Sequence, residues 1–128
     1  MIAYTSVGTN DWDRALSFYK ELFEPMKARH LGGTDRFATF GTSPKAPMFG
    51  VCKPYDGEEA TPGNGTMVTL RCESPEQVDS QYKLALELGG TDEGEPGLRG
   101  GVYYLAYFRD LDGNKIALFA MPERKAAT

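Results

Sequence analysis

TMVTLRCESPEQVDSQYKLALELGG, residues 66–90, holds a strand, a capped helix and a stop signal in a single run. Thr66 to Cys72 is rich in strand formers. Ser74 then offers its hydroxyl to the free amides of a first helical turn, Pro75 fits that turn because no N–H is needed there, and Gln77 sits at the reciprocal capping-box position. Val78, Tyr82, Ala85 and Leu88 recur at helical spacing and form one apolar stripe. Gly89-Gly90 supplies the left-handed residue on which a helix ends without steric cost.

The same signals stand in the same order near the start of the chain. Ile2 to Gly8 reads as a strand, Asn10 and Asp11 offer N-cap oxygens, and Trp12, Ala15, Leu16, Tyr19, Leu22 and Phe23 line one side of a helix that Pro25 stops. Strands follow near Lys27 to Leu31, Arg36 to Gly41 and Met48 to Cys52. After the second helix comes a less regular stretch, Thr91 to Gly101. A hairpin then pairs Val102 to Arg109 with Lys115 to Ala120 around the Asp-Gly turn of Asp110-Leu111-Asp112-Gly113-Asn114. Lys53 to Asn64, polar and carrying Pro54, Gly57, Pro62 and Gly63, reads as a linker. The repeated order predicts an internal duplication of a β-α-β-β-β unit. The expectation is an α+β fold: a single domain over residues 1–128, made of βαβββ modules 1–60 and 64–122. Each module alone leaves its sheet incompletely covered, so the two are expected to pack together.

Composition narrows the function. A chain of 128 residues is one domain's worth. Its formal net charge of −4, with no basic run, argues against nucleic acid as a partner. No uncharged apolar run approaches the roughly 18 residues of a membrane span, and the first residues lack a basic signal-peptide region. The expectation is a soluble, cytoplasmic protein without a membrane partner. Cys52 and Cys72 are too few and too far apart for a metal knuckle or a disulfide framework, and read as small buried thiols.

Several stretches resemble the vicinal oxygen chelate superfamily of glyoxalases, bleomycin-resistance proteins and extradiol dioxygenases. Asp11-Trp12-Asp13-Arg14-Ala15-Leu16-Ser17-Phe18-Tyr19 is similar to its "D-x-x-R-A-x-x-F-Y" helix. Gly90-Thr91, Pro96-Gly97-Leu98-Arg99, Tyr103-Tyr104 and Asp110-Leu111-Asp112-Gly113-Asn114-Lys115-Ile116 follow its C-terminal pattern, with Leu111 in place of the usual Pro. The resemblance implies two modules forming an open, cup-shaped sheet, assembly as a homodimer, and in catalytic members one divalent metal held by His and Glu.

Carried over one position at a time, that ligand set is missing. The first-strand His falls on Tyr4, the His of "G-T-H-V" on Met67, and the Glu of "G-N-x-I-E" on Ala117. The fourth slot lies among Phe49, Gly50 and Val51, with Gly50 the best match. A phenol, a thioether and a methyl group do not hold a borderline divalent ion, so the expectation is no metal and no other cofactor. Family isomerisation of hemithioacetals and ring cleavage of catechols both depend on that metal.

Other constellations have plainer readings. His30 reads as a structural or solvated side chain, Asp110 and Asp112 as turn residues, and Glu58-Glu59 as a solvated charge pair. A cup without a metal still presents its aromatic lining to something. The expected ligand-binding residues are Tyr4, Phe49, Met67, Arg99, Tyr104 and Ala117, with Arg99 on a glycine-rich loop free to clamp a carboxylate or stack on a ring. A structural salt bridge is the equal alternative for Arg99. Two functions follow: a module that binds a small, partly aromatic molecule, or a diverged lyase or dioxygenase with unusual or no metal.

Overall fold

The computed structural model describes residues 1–122. Two compact units divide the chain: Met1–Thr66 with Leu111–Asn114, and Met67–Asp110 with the chain from Lys115 onward. The first holds β1 (Tyr4–Gly8), α1 (Trp12–Phe23), a 3-10 turn at Glu24–Met26, β2 (Arg29–Gly33), β3 (Phe37–Gly41) and β4 (Met48–Cys52). Its sheet runs β1-β4-β3-β2, with β1 parallel to β4 and the other pairs antiparallel. The second repeats the plan with β5 (Val68–Arg71), α2 (Pro75–Glu87), β6 (Thr91–Arg99), β7 (Tyr103–Arg109) and β8 (Lys115–Ala120), in the order β5-β8-β7-β6. This is the α+β fold of two βαβββ modules, and neither four-stranded sheet closes on itself.

Each helix forms where its cap and stripe require. Asp11 is the N-cap of α1, its carboxylate accepting from the Arg14 N–H at 3.2 Å. Ala15, Phe18, Tyr19, Leu22 and Phe23 are buried. Tyr19 and Phe23 meet Phe49 with ring centres 4.7 and 5.3 Å apart, so α1 covers one face of the first sheet. Phe18 takes the inward place expected of Trp12 and Leu16, which are only half-buried. In α2 the Ser74 hydroxyl accepts from the Gln77 N–H at 3.2 Å. The Gln77 side chain reaches back to the Glu73 N–H at 2.8 Å, one residue ahead of the usual box. Val78, Gln81 and Ala85 are the buried residues of α2. Tyr82 is half-buried because its hydroxyl turns out to donate to Asp92 at 2.8 Å.

Two stretches are more ordered than their composition implies. Thr91–Arg99 is a nine-residue strand paired to β7, and two register shifts, between Asp92 and Gly94 and between Gly94 and Gly97, absorb Pro96 without breaking the ladder. Lys53 to Asn64 forms neither helix nor strand, yet the Asn10 side chain holds it. Asn10 Nδ2 donates to the Ala60 carbonyl at 3.0 Å and Asn10 Oδ1 accepts from the Ala60 N–H at 2.7 Å.

The β7–β8 turn is part of the first unit. Asp112 Oδ1 accepts from the Asn10 N–H at 2.9 Å, Arg14 donates to the Leu111 carbonyl at 3.1 Å, and Asn114 Nδ2 donates to the Gly8 carbonyl at 2.9 Å. Gly113, at φ +87°, makes the reversal that brings both side chains to the β1–α1 junction. No helix among the described residues is long and apolar enough to cross a membrane. Because Asn114 is buried, Asn114→Ala leaves the Gly8 carbonyl short of a donor and is expected to lower unfolding free energy by about 1–3 kcal/mol in urea melts. Glu59→Ala, on the exposed linker, is the control and is expected to change it by less than about 0.5 kcal/mol.

Candidate functional site

Strand alternation divides each sheet into a helix-covered face and a helix-free one. In the first unit Val7, Ala38, Phe40, Phe49 and Val51 are buried in the core, and Phe40 and Phe49 lie against Phe23 of α1. Tyr4, Phe37, Met48, Gly50 and Cys52 therefore share the other face. Tyr4 is 55% exposed and meets Phe37 edge-on, with ring centres 5.5 Å apart. A Cβ at Gly50 would come within 2.8 Å of Phe37 Cζ and 3.1 Å of the Thr5 carbonyl oxygen. The Phe37 ring thus occupies the space a side chain at position 50 would need.

In the second unit Tyr104, Ala106 and Phe108 pair with Ala120, Leu118 and Ile116 on the helix side. Arg99, Tyr103, Leu105, Tyr107, Lys115, Ala117 and Phe119 fall on the helix-free side by the same register, and Thr69 and Arg71 join them across β8. Cations and rings interleave there. Arg71 Cζ stands 5.0 Å from the Phe119 ring centre, and Phe119 lies 5.3 Å from Tyr103. Tyr107 has two cations over it, Arg99 Cζ at 5.7 Å and Lys115 Nζ at 5.2 Å.

Arg99 reaches Tyr107 because β6 has no side chains in its path. A Cβ at Gly97 would meet Arg99 Nη1 at 2.9 Å, and one at Gly94 would meet the Tyr107 ring at 2.7 Å. The guanidinium donates to the Glu95 carbonyl at 2.6 Å. Arg99 consequently ends a strand, where a mobile loop is the sequence expectation, and its partner is a carbonyl in place of a salt-bridge carboxylate.

The six expected ligand-binding residues are thus distributed unevenly. Arg99 and Ala117 share the helix-free face of the second sheet, although Ala117 is fully buried beneath its neighbours. Met67 immediately precedes β5 and is 43% exposed, and Tyr4 lies on the helix-free face of the first sheet. Phe49 and Tyr104 stand on the helix sides. Phe49 packs in the α1 core, while the Tyr104 hydroxyl donates to Asp79 of α2 at 2.6 Å. That carboxylate raises the Tyr104 pKa above its ordinary value of 10.0 and keeps the phenol protonated. Tyr82, partly desolvated and bonded to Asp92, is pushed up to about 12, and burial takes the Cys72 thiol up to about 11. At neutral pH these groups are framework donors or inert thiols. Arg71, Tyr107 and Lys115 escaped sequence reasoning; the alternation of Lys115, Ala117 and Phe119 on β8 was the available signal.

The family model for the Glyoxalase/Bleomycin resistance protein/Dioxygenase superfamily matches residues 1–118. The chain belongs to this superfamily. A glyoxalase/bleomycin resistance protein from Albidiferax ferrireducens T118 is 34% identical, with a TM-score of 0.87 and coverage of 95% of this chain and 99% of that one. A superfamily enzyme from Burkholderia phytofirmans PsJN (17% identity, TM-score 0.74, 91% and 95% coverage) shares the fold. So does a lactoylglutathione lyase from Agrobacterium tumefaciens (18% identity, TM-score 0.69, 93% and 92% coverage). No curated protein matches the chain.

The donors here do not fit the divalent metal that the superfamily resemblance implies. Among the described residues no group of three or more His, Cys, Asp or Glu side chains comes together to hold a metal ion. Phe37 fills the space at Gly50 in the first unit, and in the second Ala117 lies on the same face as the cations Arg71, Arg99 and Lys115. Gly50→Ala tests the crowding. It is expected to cost about 1–3 kcal/mol of stability in chemical denaturation, and Phe37→Ala in the same chain should recover part of that loss by opening the space.

Proposed function

We propose that this superfamily member binds a small, partly aromatic molecule on the helix-free face of its second sheet, without a catalytic metal. The observation that carries the reading is the run of Tyr103, Phe119 and Tyr107 on one sheet face. Tyr103 is exposed, and Tyr107 and Phe119 are half-buried. Rings held in register by a β-ladder are rigid, so a flat ligand stacks on them at little entropic cost. In the first unit the Tyr4–Phe37 pair presents aromatic edges of the same kind.

Binding is preferred over lyase or dioxygenase chemistry because the donor set lacks His and Glu where a metal would be needed. The name of the 34%-identical relative, a glyoxalase/bleomycin resistance protein, is compatible with either activity. With both thiols free, the reading places the protein in the reducing cytoplasm. It also takes the chain as a homodimer, since open sheets leave edge strands to be covered. Light scattering at micromolar concentration is expected to give twice the chain mass.

Calorimetric titration with flat aromatic probes tests the binding. One naphthalene-sized probe is expected to bind per chain, in the presence of a chelator as tightly as without it. Tyr103→Ala and Phe119→Ala are each expected to weaken it about fivefold or more, as loss of a stacking ring does. Failure of every aromatic probe to bind, or binding that both substitutions leave unchanged, refutes the reading.

A further inference from the structure

The helix-free face of the second sheet carries more positive charge than its surroundings neutralise. Arg109, on the same side of β7, is paired with Glu93 at 2.9 Å. Among the described residues, no carboxylate lies within 4.0 Å of the charged nitrogens of Arg71, Arg99 or Lys115. The nearby acids of β6 do not supply one. Asp92 is engaged by the Tyr82 hydroxyl and the Gly94 N–H, Glu93 serves Arg109, and Glu95 offers Arg99 its backbone carbonyl. In a chain of formal net charge −4, three cations gathered on one face with no acidic partner among the described residues form a local reversal of sign.

Two of these cations flank one ring, Arg99 from β6 and Lys115 from β8. Arg99 and Lys115 both stand over Tyr107, and a ring quadrupole compensates a cation by only about 0.5–1 kcal/mol at an exposed site. An oxyanion beside the ring would receive a charge-assisted hydrogen bond from the cation it faces and the field of the other across the ring. The two groups are half-buried, so both effects would be screened less than on open surface. Arg99 is also fixed in place: the floor at Gly97 lets its guanidinium lie on β6, and one Nη is tied to the Glu95 carbonyl. The remaining N–H groups stay free to point at a ligand. Phe119 follows Lys115 on the same face of β8, two alternations away, with Tyr103 against it. The acid-seeking end of the face and its stacking end are therefore side by side.

We propose that the molecule bound here is an aromatic carboxylic acid, its carboxylate drawn to Arg99 and Lys115 beside the Tyr107 ring and its own ring against Phe119 and Tyr103. This rests on the aromatic-binding reading above and adds the ligand's charge and orientation. Lys115 and Arg99 are the specificity-determining residues, and Arg71, stacked on Phe119, contributes to the field without a directed bond.

The experiment compares 2-naphthoate with its neutral isostere 2-naphthamide and with 2-naphthyl phosphate, titrated into the full chain and its variants. Naphthoate is expected to bind at least tenfold more tightly than naphthamide. Lys115→Met and Arg99→Met are each expected to lower naphthoate affinity about ten- to a hundredfold while leaving naphthamide affinity within about twofold. Lys115→Arg keeps the charge and is expected to retain most of the affinity. Should Arg99→Met unfold the chain by releasing Glu95, Lys115→Met decides, because among the described residues that lysine's side chain has only the Tyr107 ring contact to lose. Equal binding of naphthoate and naphthamide, or loss of both probes alike in Lys115→Met, overturns the carboxylate assignment and leaves aromatic binding standing. Tighter binding of the phosphate than the carboxylate also overturns it. Failure of all three probes removes the aromatic-binding reading and this inference with it.

Discussion

The hydrogen bond from Asn114 to the Gly8 carbonyl, with its companion from the Asn10 N–H to Asp112, fixes where the first helix begins. Helix α1 starts four residues after Gly8, and its N-cap, Asp11, adjoins the residue that the turn holds. Arg14 completes the attachment by donating to the Leu111 carbonyl, and its side chain lies 3.6 Å from Asp11 and 3.8 Å from Asp112. Because Arg14 is half exposed, those ion pairs add little beyond geometry. The hydrogen bonds to peptide groups, with buried Asn114 at their centre, do most of the positioning. From that junction the buried side of α1 is oriented on Phe40 and Phe49, and the opposite side of the sheet is left to Tyr4 and Phe37.

The two most recognisable motifs of the chain are consequently structural. Asp11, Arg14, Asp112 and Asn114 sit in the helix and turn patterns that identify the superfamily, and they spend their polar atoms on one another and on peptide groups. The residues that carry the fold's motifs are thus distinct from those of the proposed binding face, so the second set can change without disturbing the first.

The fold was legible because its signals are local and of the right period. Ser74, Asp11 and the Val78/Ala85 stripe needed nothing from the rest of the chain to be read. Legibility failed where a distant partner decides the outcome. Asn10 reads as a helix cap but closes on Ala60, fifty residues away. The stretch from Thr91 to Arg99, with two glycines and a proline, has loop composition, and only pairing with β7 makes it a strand. The candidate site was less legible still. Alternation says that every second residue faces one way, without saying which way. Phe49 and Tyr104 were assigned to the ligand side on residue type, whereas contacts with Tyr19 and Asp79 place them on the helix side. The same ambiguity concealed Tyr107 and Lys115.

Charge placement on the second sheet carries the remaining argument. A β-strand core would ordinarily not hold Lys115 and Arg99 beside tyrosine and phenylalanine, since an apolar residue in those places would pack without desolvating an ion. The cations are tolerated because rings and a backbone carbonyl cover part of them and solvent reaches the rest. Such an arrangement is weaker, as a source of stability, than an ordinary apolar patch or an ion pair like Arg109–Glu93. Gly94 and Gly97 add to the imbalance, because glycine weakens a strand and here its advantage is to let Arg99 and Tyr107 approach the backbone. A face built at some expense of stability, with its cations beside one ring and its nearby acids engaged elsewhere, is the arrangement on which the proposed aromatic-acid site rests.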